Sequence, residues 1–389
     1  MYTVCEKGKC TGCMECIDIC PKKAIKVVDS WMEYNAVIDS KKCIQCNACH
    51  KACQNNAQQV LTKPIYWKQG WAQDDCIRMH SSSGGVAAAI ERAFIKNGGI
   101  VCSCTFNLGK FEFDFAEVED EVGKFTGSKY VKSNPEGIYK KILEKLQLGR
   151  KVLFVGLPCQ VSAVKHYTKN HQNLYSIDLI CHGTPSPQIL DSFLLDYGVR
   201  LTEVNNIRFR EKDDFKLEQN GKRFAVPTTT DNYLMTFLNS TTYTENCYHC
   251  QYARIERSGD ITLGDSWGSE LEKYIQDKGI SLVLCQNKKG KELINQSDLT
   301  LLDVDLEKAI ESNHQLYQPS QKPKQRELFF KELKKRTGFK RAVRRCYPKK
   351  YLKNVAKTLL YKMKLKKGGG RYQVIVTLVK NDSNSRGSE

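Results

Sequence analysis

The sequence has no run of about 18 apolar residues, so no bilayer-spanning helix is expected. Its opening, MYTVCEKGKC, lacks the apolar core of a secretory signal. These two absences point to the cytoplasm, where thiols stay reduced and abundant cysteine argues for metal or redox centres rather than disulfides. No recognisable nucleic-acid fold is present, so nucleic acid is not an expected partner. Acids are scarce in one place: residues 322–367 hold 19 Lys and Arg against only Glu327 and Glu332. That segment accounts for a net +17 of the chain's +18, and the remainder is close to neutral.

What the chain has is cysteine: 18 in 389 residues, within a hydrophobic fraction of 41% that suits a folded protein of two domains. Cys10, Cys13, Cys16 and Cys20 recur 33 residues later as Cys43, Cys46, Cys49 and Cys53, one duplicated unit. In each copy the short gaps let three thiolates converge on one cubane, while the fourth points away and reaches the other cluster. The expected ligand sets are Cys10, Cys13, Cys16 and Cys53 for the first cluster, and Cys43, Cys46, Cys49 and Cys20 for the second. Zinc is the alternative, but zinc sites pair two Cys-x-x-Cys units and need neither the third cysteine nor the crossed fourth. The pattern resembles the bacterial two-cluster ferredoxin module over residues 3–60. The second copy has Gln54 where the first has Pro21. Proline fixes φ after the ligand, so its loss is expected to retune the second cluster without removing it. Cys5 reads as an incidental thiol.

The run AIKVVDSWMEYNAVID between the copies reads as short strands around a turn, and LTKPIYWKQGW as a linker. From Ser81 strand-like and helix-like runs alternate. Helices are expected in SSSGGVAAAIERAFIKNGG, PEGIYKKILEKLQLGR and QVSAVKHYTK, and strands in IVCSCTF, KVLFVGLPCQ and LYSIDLICHG. This alternation implies a mostly parallel sheet covered by helices. Beyond Arg208 the pattern reads as more strand-rich, with DITLGDSWG and ISLVLCQN as strands. The tail 322–367 reads as a basic amphipathic helical segment, and 368–389 as disordered. The expected architecture is α/β: a ferredoxin-type domain at 1–62, a mixed-sheet α/β domain at 72–318, then the two tail segments.

Four further cysteines stand out. Cys159 and Cys181 close apolar strands, Cys247 and Cys250 form CYHC, and strand ends on one sheet edge are where ligands gather. They could hold a third [4Fe–4S] cluster, a zinc ion, or remain buried thiols. The ordered motifs SSSGGV, GSKYVKSNP, FVGLPCQ, DLICHGTPSP, CYHCQYARIERSGDITLGDSWG and GISLVLCQN resemble the coenzyme F420 hydrogenase/dehydrogenase beta-subunit family over residues 72–290. The resemblance implies a flavin-binding α/β fold with FAD beside a [4Fe–4S] cluster on Cys159, Cys181, Cys247 and Cys250. It also implies flavin contacts by Ser83, Gly84, Gly85, Lys129, Tyr130 and Asp265; the alternatives are a helix cap for the Ser/Gly run, a surface lysine for Lys129 and a turn cap for Asp265. His182 is the candidate proton donor, against the reading of a hydrogen-bonded structural histidine.

The expected function is an iron–sulfur flavoprotein oxidoreductase passing electrons from a ferredoxin-like donor through clusters to FAD and an organic substrate. That substrate is coenzyme F420 or, in a polysaccharide-synthesis setting, a saccharide. The alternative is a non-catalytic electron-transfer subunit of a larger redox complex. The basic tail suggests an anionic membrane surface as a further partner, and hence peripheral attachment to the inner face.

Overall fold

The computed structural model describes residues 2–335 and 337–367; the segment read as disordered, 368–389, lies outside the described residues. The N-terminal unit is built on an antiparallel hairpin of β1 (Ile25–Asp29) and β2 (Tyr34–Ile38). The cysteine loops beside it repeat in conformation as well as in sequence. Gly12 (φ 73) and Met14 (φ 60) are left-handed in the first copy, and Gln45 (φ 56) and Asn47 (φ 58) in the second. A short helix follows each, Glu15–Asp18 and Ala48–Ala52. Left-handed residues at such spacing turn backbone N–H groups inward and form a concave, anion-favouring loop.

The second unit is built on one eight-stranded sheet. Its first five strands are β3 (Tyr66–Ala72), β4 (Ile100–Asn107), β5 (Lys110–Ala116), β6 (Val152–Gly156) and β7 (Leu174–Leu179). Three two-residue strands then form a separate ribbon, β8 (Ile207–Arg208), β9 (Glu218–Gln219) and β10 (Lys222–Arg223). The main sheet is completed by β11 (Ile261–Asp265), β12 (Ser281–Cys285) and β13 (Leu299–Leu302), giving the order β13-β3-β12-β11-β7-β6-β4-β5. Parallel pairing joins β4, β6, β7 and β11 at the centre, and both flanks are antiparallel. The sheet is therefore mixed, not mostly parallel. VLFVG in β6 is buried at every position, as a central strand covered on both faces requires.

Three sequence expectations need correction. Tyr66–Ala72 is not a linker: it pairs antiparallel with both β12 and β13. Its aromatic residues suit a strand, and Gly70 is needed there because a Cβ would meet the Thr300 carbonyl oxygen at 2.0 Å. The domain boundary at 72 thus falls at the end of a strand of the main sheet. Beyond Arg208 the strands expected in DITLGDSWG and ISLVLCQN form as β11 and β12, but the stretch before them holds only the short ribbon and then a helix at Asn232–Leu238. The basic tail divides in two. Helices Gln325–Lys334 and Phe339–Cys346 bury Phe329, Phe330, Leu333, Phe339 and Val343 in the largest core, beside Phe193 and Tyr233. Their lysines and arginines hid an apolar face at helical spacing. Pro348–Lys367 alone stands as a basic outer helix.

The N-terminal unit is clamped onto the sheet domain. Asp18 Oδ1 accepts the Gly137 N–H at 2.7 Å, and the Met32 carbonyl accepts the Arg326 guanidinium at 2.8 Å and the Glu245 N–H at 2.8 Å. Glu15 also bonds His166.

Candidate redox site

The N-terminal cysteines lie close together in two neighbouring groups. Cys20 lines one cleft with Cys43, Cys46 and Cys49. Cys10, Cys13, Cys16 and Cys53 are mutual electrostatic neighbours in the interior of the unit. Backbone N–H groups point at sulfur: Ala24 donates to Cys20 Sγ at 3.3 Å and Gln45 to Cys43 Sγ at 3.4 Å. Such donors favour the thiolate that a cluster requires. Cys5, without a signal in its spacing, is a buried free thiol near Cys10 and Cys53, and its Sγ accepts from Asn55 Nδ2 at 3.8 Å.

The second set is assembled by the fold. Cys159 lies in the first turn of the helix Pro158–Tyr167, just past the C-terminal end of β6. Cys181 lies two residues past β7, the strand beside β6 in parallel register. Cys247 and Cys250 come from the turn Glu245–His249 and its end. All four line one cavity of about 330 Å3, which also carries Thr11 and Asn55 of the N-terminal unit. A water needs about 10–15 Å3 on this scale, so the space far exceeds that of a single ion. Among the described residues no three His, Cys, Asp or Glu side chains converge as the ligands of one ion do. The ligands of a cubane each hold a different iron and stand further apart. Cys247 Sγ accepts from Thr184 N at 3.5 Å and Asn246 Nδ2 at 3.6 Å. Burial pushes the Cys181 thiol up to about 12, so a thiolate there depends on a bound cation. Four thiols, the cavity size and the sulfur-directed donors fit a four-iron cluster.

One buried ion pair frames this cavity. Arg257 Nε and Nη2 donate to Asp178 Oδ1 at 2.9 and 2.7 Å, with the side chains 1% and 0% exposed. Arg257 also donates to the carbonyls of Tyr252 and Leu179, and Asp178 Oδ2 accepts the Gly259 N–H. The pair ties the chain after Cys250 to the strand that delivers Cys181.

Gln54 is placed differently from expectation. It follows Cys53, whose partners are Cys10, Cys13 and Cys16, so the lost proline does not face the second cluster set. Gln54 is 3% exposed; its Nε2 donates to the Cys159 carbonyl at 2.9 Å and its Oε1 accepts from the Tyr252 hydroxyl at 2.5 Å. The residue joins the first cysteine set to the third. Proline could make neither bond.

The six residues expected at a flavin lie around the loop before the helix Val86–Lys96, which Gly85 begins at φ 81. Ser83 Oγ donates to the Ile280 carbonyl at 2.9 Å, and Gly84 N to Ser281 Oγ at 3.1 Å. Lys129 Nζ donates to the carbonyls of Phe125, Thr126 and Gly127. Tyr130 stacks on Phe237, with ring centroids 4.5 Å apart. Asp265, at the end of β11, takes two bonds from Arg210 at 2.7 and 3.0 Å. Arg210 also reaches the Ser82 carbonyl, and Lys212 Nζ reaches that of Ser83 at 2.9 Å. Burial and the charges of Arg78 and Arg210 press Lys212 down to about 8. The sequence reading missed these three cations, which lie far from the loop in sequence or carry no motif. Arg78, Arg210 and Lys212 gather at the loop, with Asp265, Glu211 and Asp75 as the carboxylates acting on them.

His182 lines the cysteine cavity. Its Nδ1 accepts from Gln315 Nε2 at 2.6 Å, and its carbonyl accepts from Ser320 Oγ at 2.6 Å. Burial, then His314, lowers it to about 4.

Two family matches support an iron–sulfur, electron-transfer role for the chain. Residues 9–57 match the model of the 4Fe-4S dicluster domain, and residues 149–304 match that of the C terminus of the coenzyme F420 hydrogenase/dehydrogenase beta subunit. The chain is thus similar to a 4Fe-4S dicluster domain in its N-terminal part and to the C terminus of the coenzyme F420 hydrogenase/dehydrogenase beta subunit in its sheet domain. Among solved structures it is similar to a chain of the F420-reducing [NiFe] hydrogenase complex from Methanosarcina barkeri, in a xenon-derivatised form. The match has 19% identity and a TM-score of 0.47, and covers 65% of this chain and 91% of that one. No curated protein matches.

Proposed function

We propose that the protein is an oxidoreductase that takes electrons from a ferredoxin-like donor through two N-terminal [4Fe–4S] clusters and a third on Cys159, Cys181, Cys247 and Cys250 to FAD. The observation that carries this reading is the cavity shared by those four cysteines, walled on one side by the N-terminal unit. When bound, the clusters supply one-electron carriers and the flavin couples them to two-electron chemistry on an organic substrate. The chain's own residues hold the route together: Gln54 bonds the Cys159 carbonyl, and Arg257 fixes Cys250 relative to Cys181. The loop at the N-terminus of the helix Val86–Lys96, with Arg210 and Lys212 on its carbonyls, supports a phosphate-bearing cofactor there, with Ser83, Gly84, Gly85, Lys129, Tyr130 and Asp265 as its nearest side. His182 is the proposed proton donor to substrate. The proposed substrate is a deazaflavin such as coenzyme F420, or a saccharide. The protein purified anaerobically and alone is expected to bleach its flavin when reduced ferredoxin is added. Bleaching that requires a second, co-purifying polypeptide would instead support a non-catalytic electron-transfer role.

A second part of the proposal concerns where the protein works. Among the described residues no helix is long and apolar enough to cross a membrane. The helix Pro348–Lys367 nevertheless turns its polar side inward: Asn354 Nδ2 donates to the Thr230 carbonyl at 2.9 Å and Lys350 Nζ to Asn239 Oδ1 at 2.6 Å. Its apolar stripe faces out, with Leu352, Leu359, Leu360 and Met363 each more than half exposed. Lys349, Lys353 and Lys362 flank the stripe in a helix without a single acid. An anionic lipid surface suits both features, with about 1 kcal/mol from each cation near the headgroups. The full chain is expected to sediment with phosphatidylglycerol-containing vesicles and to stay in solution with neutral ones. Leu359→Glu with Leu360→Glu should abolish sedimentation; equal binding to neutral vesicles, or none to either, contradicts the assignment.

A further inference from the structure

Lys132 lies in GSKYVKSNP, three residues beyond the lysine that the sequence pattern singles out. It is only 5% exposed. Its Nζ donates to the Thr11 carbonyl at 2.9 Å, between Cys10 and Cys13, and lies 5.2 Å from the centre of the Tyr34 ring. Its backbone N–H donates to the Pro185 carbonyl at 2.9 Å, on the loop that follows Cys181. The residue therefore spans from the loop of the first cluster set to the loop of the third. Among the described residues no carboxylate pairs with it, although it lines the cavity of the four cysteines. Its charge acts on Cys10 on one side and on Cys159 and Cys181 on the other.

An ammonium removed from water without a counter-charge is strongly unfavourable. A four-iron cluster held by four thiolates carries net negative charge in either working oxidation state. Two such groups flanking Lys132 would supply the missing counter-charge, and each would find reduction easier beside a cation.

We propose that Lys132 is a positioning residue shared by two redox centres, its buried ammonium raising the reduction potential of the first N-terminal cluster and of the third site together. This rests on the reading that Cys159, Cys181, Cys247 and Cys250 hold a cluster. The second cluster set, Cys20, Cys43, Cys46 and Cys49, lines a separate cleft that Lys132 does not reach, and serves as an internal reference.

The test is a potentiometric titration of the anaerobic full chain, followed by electron paramagnetic resonance, after the iron content of each variant has been measured. Lys132→Met and Lys132→Gln are expected to move two of the three midpoints downward and leave the third where it was. Lys132→Arg should keep all three near those of the parent. The glutamine variant retains a donor to the Thr11 carbonyl and removes only charge, so it carries the test if the methionine variant fails to fold. Midpoints that do not move, that move equally at all three centres, or that fall in the arginine variant as far as in the glutamine variant overturn the inference. A parent chain with irons for only two clusters would overturn the underlying reading instead.

Discussion

Replacing Cys247 by alanine is expected to lower the iron content from about twelve to about eight per chain, the loss of one four-iron cluster. The two N-terminal clusters should survive, because their eight cysteines line other parts of the molecule. Cys247 is the sharpest choice of the four. It is buried, and Thr184 N and Asn246 Nδ2 already point at its sulfur. Alanine leaves the backbone of the turn Glu245–His249 free to keep its shape. Dithionite should still reduce the variant's remaining clusters, while transfer of those electrons to the flavin should fail. Iron counting together with electron paramagnetic resonance distinguishes this outcome from general instability, which would lower all cluster signals alike. A variant with the iron and spectrum of the parent would show that Cys247 holds no cluster.

Arg257→Leu is expected to destabilise the protein by about 3–5 kcal/mol, because it strands Asp178 as an uncompensated buried charge. The cost is large because both members of the pair are buried and because Arg257 also satisfies the carbonyls of Tyr252 and Leu179. The double variant Arg257→Leu with Asp178→Leu should recover part of that loss, since an apolar pair removes the stranded charge. The Gly259 N–H would remain unpaired, so recovery should stop short of the parent. A cofactor-bearing chain need not unfold in two states, so the shift is best read from the apo-protein by denaturant titration. A single variant within about 1 kcal/mol of the parent would mean that water or another group replaces the pair.

The N-terminal ligand pattern was legible because it is local: three cysteines within seven residues, repeated, need no tertiary information. The strands that deliver Cys159 and Cys181 were legible for a related reason, since a central parallel strand must be continuously apolar. Other parts were not. Tyr66–Ala72 follows Lys63-Pro64 and contains Gly70, which look like a linker until the Thr300 backbone that requires the glycine is seen. In 325–346 the lysines and arginines dominate composition, while the buried Phe329, Phe330, Phe339 and Val343 do the packing. Gln54 and Lys132 were unreadable because each acts on a loop more than 100 residues away in sequence. A glutamine and a lysine carry no motif; only the docking of the N-terminal unit onto the sheet gives them roles.

The most direct test is the metal and flavin content of the chain purified anaerobically. Three four-iron clusters require about twelve irons and as much acid-labile sulfide, with bound flavin and no zinc. Irons for two clusters only, with zinc at Cys247 and Cys250 and no flavin, would contradict the account.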